Sequence, residues 1–212
     1  MSHLNTENSK FKPAPALGVI ILGAGASSRM GRPKLLLPWQ DTTVVGQIIA
    51  TWRELGAAQV VVVMRPADAL LAAELDRLEL SVANRIENPA PERGMFSSLL
   101  CAAQWHGWQK GIARWAVALG DQPHLPSPDL RRLLALQAQN PHCFGQPAVG
   151  GRTGHPVILP SPAFDELKRT GATTFKEFLK LAAIPRVQLE MAHPGVLLDL
   201  DTPEDYIRLQ PR

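Results

Sequence analysis

Apolar positions along the chain fall into alternating short runs and helical stripes. Leu17–Leu22 is a continuous apolar run after a polar, proline-containing start, and it predicts a buried strand. Val44–Leu55 carries apolar residues at helical spacing. Gln59–Met64 is β-branched almost throughout, as in a strand covered on both faces. Ala67–Leu78 predicts a helix, Ser81–Ile86 a shorter strand, Gly94–Trp108 a helix and Trp115–Leu119 a strand. Ser127 and Pro128 open a helix that runs to about Gln139.

The second half is less regular. Phe144–Val149 and Pro156–Leu159 predict strands around the turn "GGRTGH". Helices are expected at Ser161–Lys168 and Thr173–Leu181, strands at Arg186–Glu190 and Val196–Leu200, and a last helix at Pro203–Leu209. Strands alternating with helices predict an α/β fold of three layers, Rossmann-like, with a mostly parallel sheet and helices on both faces. Residues 1–15 are expected to form a loose tail and 16–212 a single domain. In such a sheet, chemistry gathers beyond the carboxyl ends of the strands. The segments after Leu22, Ile86 and Leu119 should therefore share one rim.

Composition narrows this only a little. The 212 residues are 45% hydrophobic and 19% charged, with a net charge of +3. Lysines and arginines are scattered, so nucleic acid is not an expected partner. No apolar run is long enough to cross a bilayer, and the first residues lack the apolar region of a signal peptide. A cytoplasmic location with no membrane partner is the expectation. Cys101 and Cys143 show no metal-ligand spacing.

The candidate chemistry begins at "VIILGAGASSRMGRPK". Gly23 and Gly25 allow a tight turn and close backbone approach to a ligand. Arg29 and Lys34 add positive charge, as phosphate binding requires. The alternative is a plain strand-to-helix turn with a solvated basic edge. Two known loops are excluded. A dinucleotide fingerprint needs glycine where Ser28 stands and an acid about 20 residues on; a P-loop needs G-K-[ST] where Gly31-Arg32-Pro33 stands.

Asp121, in "ALGDQP", follows an apolar strand and suits Mg²⁺, a cation usually held by one or two carboxylates with phosphate oxygens and water. The alternative is a turn-capping acid. Asp199 and Asp201 alternate along the expected Val196–Leu200 strand and its end, so they should face one side. Asp201 also suits a helix start before Pro203, which leaves Asp199 as the preferred second ligand. Asn88 carries both donor and acceptor, as reading a base edge requires. Gly94 permits close approach, and Ser97 or Ser98 can serve base, ribose or merely the helix start. Arg152 and His155, in "GGRTGHP", are candidates for an anionic second substrate or for structural roles.

These segments together resemble the nucleotidyltransferases of molybdenum cofactor maturation, within the broader MobA-like NTP transferase group. The matching pieces are "LGAGASSRMGRPK", "NPAPERGMFSSL", "ALGDQP", "GRTGHPVILP" and "LDLDTPED", spread in order over nearly the whole chain. The resemblance implies Mg²⁺-dependent transfer of a nucleoside monophosphate to the phosphate of molybdopterin. It implies nucleotide contacts at Leu22, Gly23, Ala24, Gly25, Asn88, Gly94, Met95 and Ser98. Phosphate contacts would come from Arg29 and Lys34, and metal contacts from Asp121 and the Asp199 region. Cytidylyl members have L-A-A-G at the loop and guanylyl members L-A-G-G. Leu22-Gly23-Ala24-Gly25 therefore favours CTP at its third place and departs from both patterns at Gly23. The alternatives are GTP, a sugar or polyol phosphate acceptor, or a non-catalytic accessory protein that delivers the cofactor to a xanthine dehydrogenase-type molybdoenzyme.

Overall fold

The computed structural model describes residues 15–25 and 30–211. The expected tail and Arg29 lie outside, or almost wholly outside, the described residues. In chain order the strands begin with β1 (Ala16–Leu22), the small hairpin β2 (Pro38–Trp39) and β3 (Thr42–Thr43), β4 (Gln59–Met64), β5 (Arg85–Glu87) and β6 (Ile112–Leu119). They continue with β7 (Phe144–Val149), β8 (Arg152–Thr153), β9 (Val157–Pro160) and β10 (Arg186–Glu190). The helices are α1 (Val44–Glu54), α2 (Ala69–Arg77), α3 (Met95–Gln104), α4 (Ser127–Gln139), α5 (Ser161–Leu167), α6 (Phe175–Leu181) and α7 (Pro203–Leu209).

The main sheet has the order β10-β7-β9-β6-β1-β4-β5, with β8 paired to β7. β1 runs parallel to β4 and to β6, β4 to β5, and β7 to β10; β9 lies antiparallel between β6 and β7. The sheet is mixed and mostly parallel. Its central strands are buried on both faces, which their unbroken apolar runs require.

Two cores flank the sheet, one per face. Val19 and Ile21 of β1 point into the core with Val45, Ile49, Leu71 and Leu133, from α1, α2 and α4. Ile20, between them, points into the other with Leu99, Phe164 and Phe178, from α3, α5 and α6. The alternation follows from the two-residue strand period, and it makes the three layers. No helix of the described residues is long and apolar enough to cross a membrane.

Several boundaries differ from the expected ones for local reasons. The helix expected to reach Trp108 stops at Gln104, where the Trp108 indole N–H donates back to the Ala102 carbonyl at 2.9 Å. That turn brings Trp108 edge-on to both Trp105 and Trp115. The Ser81–Ile86 strand is a 3-10 turn at Val82–Asn84 followed by the short β5. α2 starts two residues late because the Asp68 side chain caps it by accepting from Leu71 N–H. The strand expected over Val196–Leu200 does not form. Pro194–Leu197 is a 3-10 turn, and the segment that follows bonds to side chains and loops instead of a strand partner.

Candidate active site

β1, β4, β5 and β6 run parallel, so their carboxyl ends share an edge. Beyond it lies a cavity of about 580 Å³. Its walls come from the glycine loop after β1, Arg65 after β4, the segment from Pro91 to Ser98, and Gly120 and Asp121 after β6. Lys34, Asp199 and Asp201 complete it.

The glycine loop is held against its neighbours by backbone bonds. Gly23 N–H donates to the Val63 carbonyl at 2.8 Å, and Gly120 N–H to the Leu22 carbonyl at 3.1 Å. A Cβ at Gly120 would lie 2.7 Å from the Leu22 oxygen, so this close approach needs glycine. A Cβ at Gly23 would lie 3.1 Å from the Val63 oxygen and 3.2 Å from Leu35 Cδ1. A methyl group there would fit only if these neighbours gave way by a few tenths of an ångström. Ala24 beside it lines the cavity.

Lys34 opens a single 3-10 turn, Lys34–Leu36, anchored by the buried Leu35. Its ammonium lies 2.5 Å from Asp121 Oδ2 and 3.5 Å from Asp201 Oδ1. Asp121 Oδ1 is buried without a hydrogen-bond partner among the described residues. The segment carrying Asp199 and Asp201 also docks through its backbone and through Gln122. Leu200 N–H donates to the Asp121 carbonyl at 3.1 Å. The Gln122 side-chain amide lies 3.0 Å from Asp199 Oδ1, 3.2 Å from the Leu198 carbonyl and 3.4 Å from that of Val196. Both aspartates thus reach the cavity, without the strand that was expected to align them.

Burial pushes the Asp199 carboxyl up from its ordinary value, and the neighbouring charge of Asp121 adds to this. The Gln122 bond and Lys34 pull the other way. A carboxylate crowded by another carboxylate gains from a cation between them. With the unpartnered Asp121 oxygen, this donor set fits a hard divalent cation. Among the described residues no three His, Cys, Asp or Glu side chains form a ready cage. A Mg²⁺-type site needs only one or two carboxylates when phosphate oxygens and water supply the rest.

Leu22, Gly25, Gly94, Met95 and Ser98 line the cavity. Gly94 has a φ of 87°, which favours glycine there. Asn88 is the correction. It is buried, and its amide donates to Ser97 Oγ at 2.8 Å and to Ser98 Oγ at 2.9 Å, while its oxygen accepts from Ala90 N–H. With donors and acceptor spent internally, Asn88 organises the start of α3 and does not read a base. Of the two readings of His155, the geometry fits the structural one. Its Nδ1 lies 3.3 Å from the Val117 carbonyl, its ring is 6.0 Å from that of Phe175, and it does not line the cavity. Arg152 is exposed on β8, outside the cavity.

Two further residues of the site, Gln122 and Arg65, carry no motif of their own. Gln122 sits inside "GDQP", but nothing in the spacing shows that it braces a segment more than 70 residues away. Arg65 follows β4 directly, and the gathering of ligands beyond strand ends is the one signal that points to it.

The two histidines near the site give a pH prediction. Burial is the first cause holding both His124 and His155 below the ordinary imidazole value of about 6.5. The unfolded chain therefore binds more protons than the folded one below that value. Their contribution to stability is complete above about pH 6.5 and is lost as pH falls toward the lower folded values. Asp199 acts with the opposite sign, because its raised value adds stability at acid pH that disappears on ionisation. In an Asp199→Asn background, the melting temperature should fall steadily from about pH 7.5 to 5.5. A flat profile or a rise on acidification contradicts this.

A family model described as "MobA-like NTP transferase domain" matches residues 19–187. The chain is 25% identical to molybdenum cofactor cytidylyltransferase of Escherichia coli K12 over 198 residues, which cover 93% of this chain and 97% of that protein. It is 31% identical to nicotine blue oxidoreductase of Paenarthrobacter nicotinovorans over 153 residues, 68% of this chain and 71% of that one. Among solved structures, the Rv0371C complex with manganese from Mycobacterium tuberculosis H37Rv superposes with a TM-score of 0.66 at 27% identity. That match covers 92% of this chain and 98% of the other.

Proposed function

We propose, on the premise that this chain belongs to the MobA-like NTP transferase family, a nucleotidyltransferase family, that it moves CMP from CTP to the terminal phosphate of molybdopterin with release of pyrophosphate. The observation that carries this reading is the meeting of Lys34, Asp121 and Asp199 at the glycine loop, in one cavity large enough for a nucleotide.

An acceptor phosphate oxygen forms a bond to the α-phosphorus as the bond to the α,β-bridging oxygen breaks. Pyrophosphate leaves with that oxygen and its electron pair. The nucleophile is already ionised, so the protein supplies positioning and charge, not a base. Backbone N–H groups of Ala24 and Gly25 would receive the triphosphate, since that of Gly23 is held by the Val63 carbonyl, and the methyl of Ala24 would face the nucleoside. Lys34 would leave its carboxylate partners for the departing pyrophosphate, with Arg29 as its companion. Asp121 and Asp199 would hold a divalent cation, expected to be Mg²⁺, which supplies charge neutralisation between attacking and leaving oxygens. The manganese named for the M. tuberculosis relative supports divalent metal use in this family.

The cytidylyl assignment draws support from Ala24 and from the name of the E. coli relative. Arg152, exposed and cationic, remains the candidate contact for the acceptor. The test is pyrophosphate release with each of the four NTPs, with and without molybdopterin and Mg²⁺. Release only when CTP, pterin and metal are all present is expected. Stoichiometric pterin binding without release would overturn the proposal in favour of an accessory role.

A further inference from the structure

We propose that Arg65 reads the nucleobase, and that the base it selects is cytosine. The inference rests on the nucleotidyltransferase reading of the same cavity and adds its specificity residue.

The cavity is chemically divided. Lys34, Asp121, Asp199 and Asp201 crowd the end beyond β6. Arg65, Glu92, Met95 and Ser98 line the end beyond β4 and at the start of α3. In the sheet order β6-β1-β4, the glycine loop after β1 lies between these two ends. Two strand spacings separate β6 from β4, about 10 Å, which leaves room for a ribose between a metal-bound phosphate and a base. A triphosphate held at the first end by Lys34 and by the divalent cation that the carboxylates would carry therefore presents its base to the second.

At that second end, Arg65 is exposed on the rim and has no hydrogen bond or ion pair among the described residues. Its guanidinium is free to close on a ligand. Glu92 is likewise exposed and unpaired there. Asn88 donates to Ser98 Oγ, and no described residue accepts the Ser98 hydroxyl proton, which leaves a donor facing the ligand.

Guanidinium is a planar fork of donors with no acceptor. Cytosine offers two adjacent acceptors, N3 and O2, which match the fork. Its 4-amino group beside them suits a carboxylate such as Glu92. Uracil has the same size but carries a proton on N3, which sets donor against donor. Adenine shows no two adjacent acceptors, and guanine shows a pair, O6 and N7, only on its Hoogsteen edge, which makes GTP the competitor the test must separate. A bidentate contact of this kind discriminates by about tenfold or more.

The experiment is calorimetric titration of each of the four NTPs, with Mg²⁺ and without acceptor, into the wild-type chain and Arg65→Lys. Lysine keeps the charge and loses the fork. The variant should bind CTP about tenfold more weakly while its affinities for UTP, ATP and GTP stay within about twofold. Its melting temperature should be unchanged, since Arg65 has no hydrogen bond or ion pair among the described residues to lose. Equal weakening of all four NTPs would assign Arg65 to phosphate and overturn the proposal, as would no change at all. A wild-type preference for GTP that Arg65→Lys removes would overturn the cytosine assignment. The transferase reading fails separately, if CTP binds through Arg65 but pyrophosphate is never released. Wild-type chain that binds no NTP defeats both.

Discussion

Asp121→Ala should lower pyrophosphate release by a factor on the order of 10²–10³ while the chain remains folded. The carboxylate lies at the junction of every limb of the site. One oxygen accepts from Lys34, the other is buried without a partner among the described residues, and the backbone carbonyl accepts from Leu200 N–H. Alanine removes both oxygens and keeps the backbone link, so the Asp199 segment stays docked. On the proposed reading the cation loses one of its ligands, and Lys34 loses its 2.5 Å contact to Asp121 Oδ2. Lys34 still has Asp201 at 3.5 Å, so no isolated buried cation remains to unfold the chain. The decisive pair of measurements is single-turnover pyrophosphate release and the thermal midpoint. Near-normal Mg²⁺-dependent turnover would remove Asp121 from the metal site. A collapsed midpoint would mean that the loss is structural.

Gly154→Ala should be the most damaging small substitution in the second half of the chain. A Cβ there would lie 2.1 Å from the Val196 carbonyl oxygen and 2.8 Å from its carbon. Backbone cannot rotate aside as a side chain can, so the Pro194–Leu197 turn must shift. Overpacking of this kind costs about 2–3 kcal/mol, which is roughly 5–10 °C in melting temperature for a chain of this size. The activity consequence is separate. The same turn carries Val196 and Leu198 onto Gln122 and leads directly to Asp199. Gly154→Ala should therefore weaken metal-dependent NTP binding even at temperatures where the variant is fully folded. Wild-type metal affinity in the folded variant would show that the turn does not position the carboxylates.

The contrast between these two residues shows what a sequence can express. β1, β4 and β6 carry apolar runs, and the rim beyond such strands marks Lys34 and Asp121 as candidates from patterning alone. The division of the sheet into two cores is also legible, because strand alternation has a fixed period of two. The Val196–Leu200 segment is not. Its apolar run has the length of a strand, but Pro194 and Gly195 turn it. Its carbonyls are then satisfied by a glutamine far away in sequence. Asn88 misleads for a related reason: an amide's chemistry is visible in a sequence, but whether its hydrogen bonds are already spent is not. Arg65 belongs to no patterned motif and is marked only by following a strand. Arg29 lies among the residues whose placement is not described, so its expected phosphate role stays a proposal.

The bond between Lys34 and Asp201 spans 167 positions. Chain synthesis proceeds from the amino end, so the glycine loop, both cores' central strands and Asp121 exist well before Asp199 and Asp201 emerge. The aspartates' segment is then the closing limb, added to a rim whose other walls are already built. Closing so long a loop has a slowly growing entropic cost, offset among the described residues by the Gln122 side chain, the backbone bond at Asp121, the burial of Leu200 and the contact of Asp201 with Lys34. During biogenesis, cation-binding competence should thus appear after sheet formation, as a late and separable event.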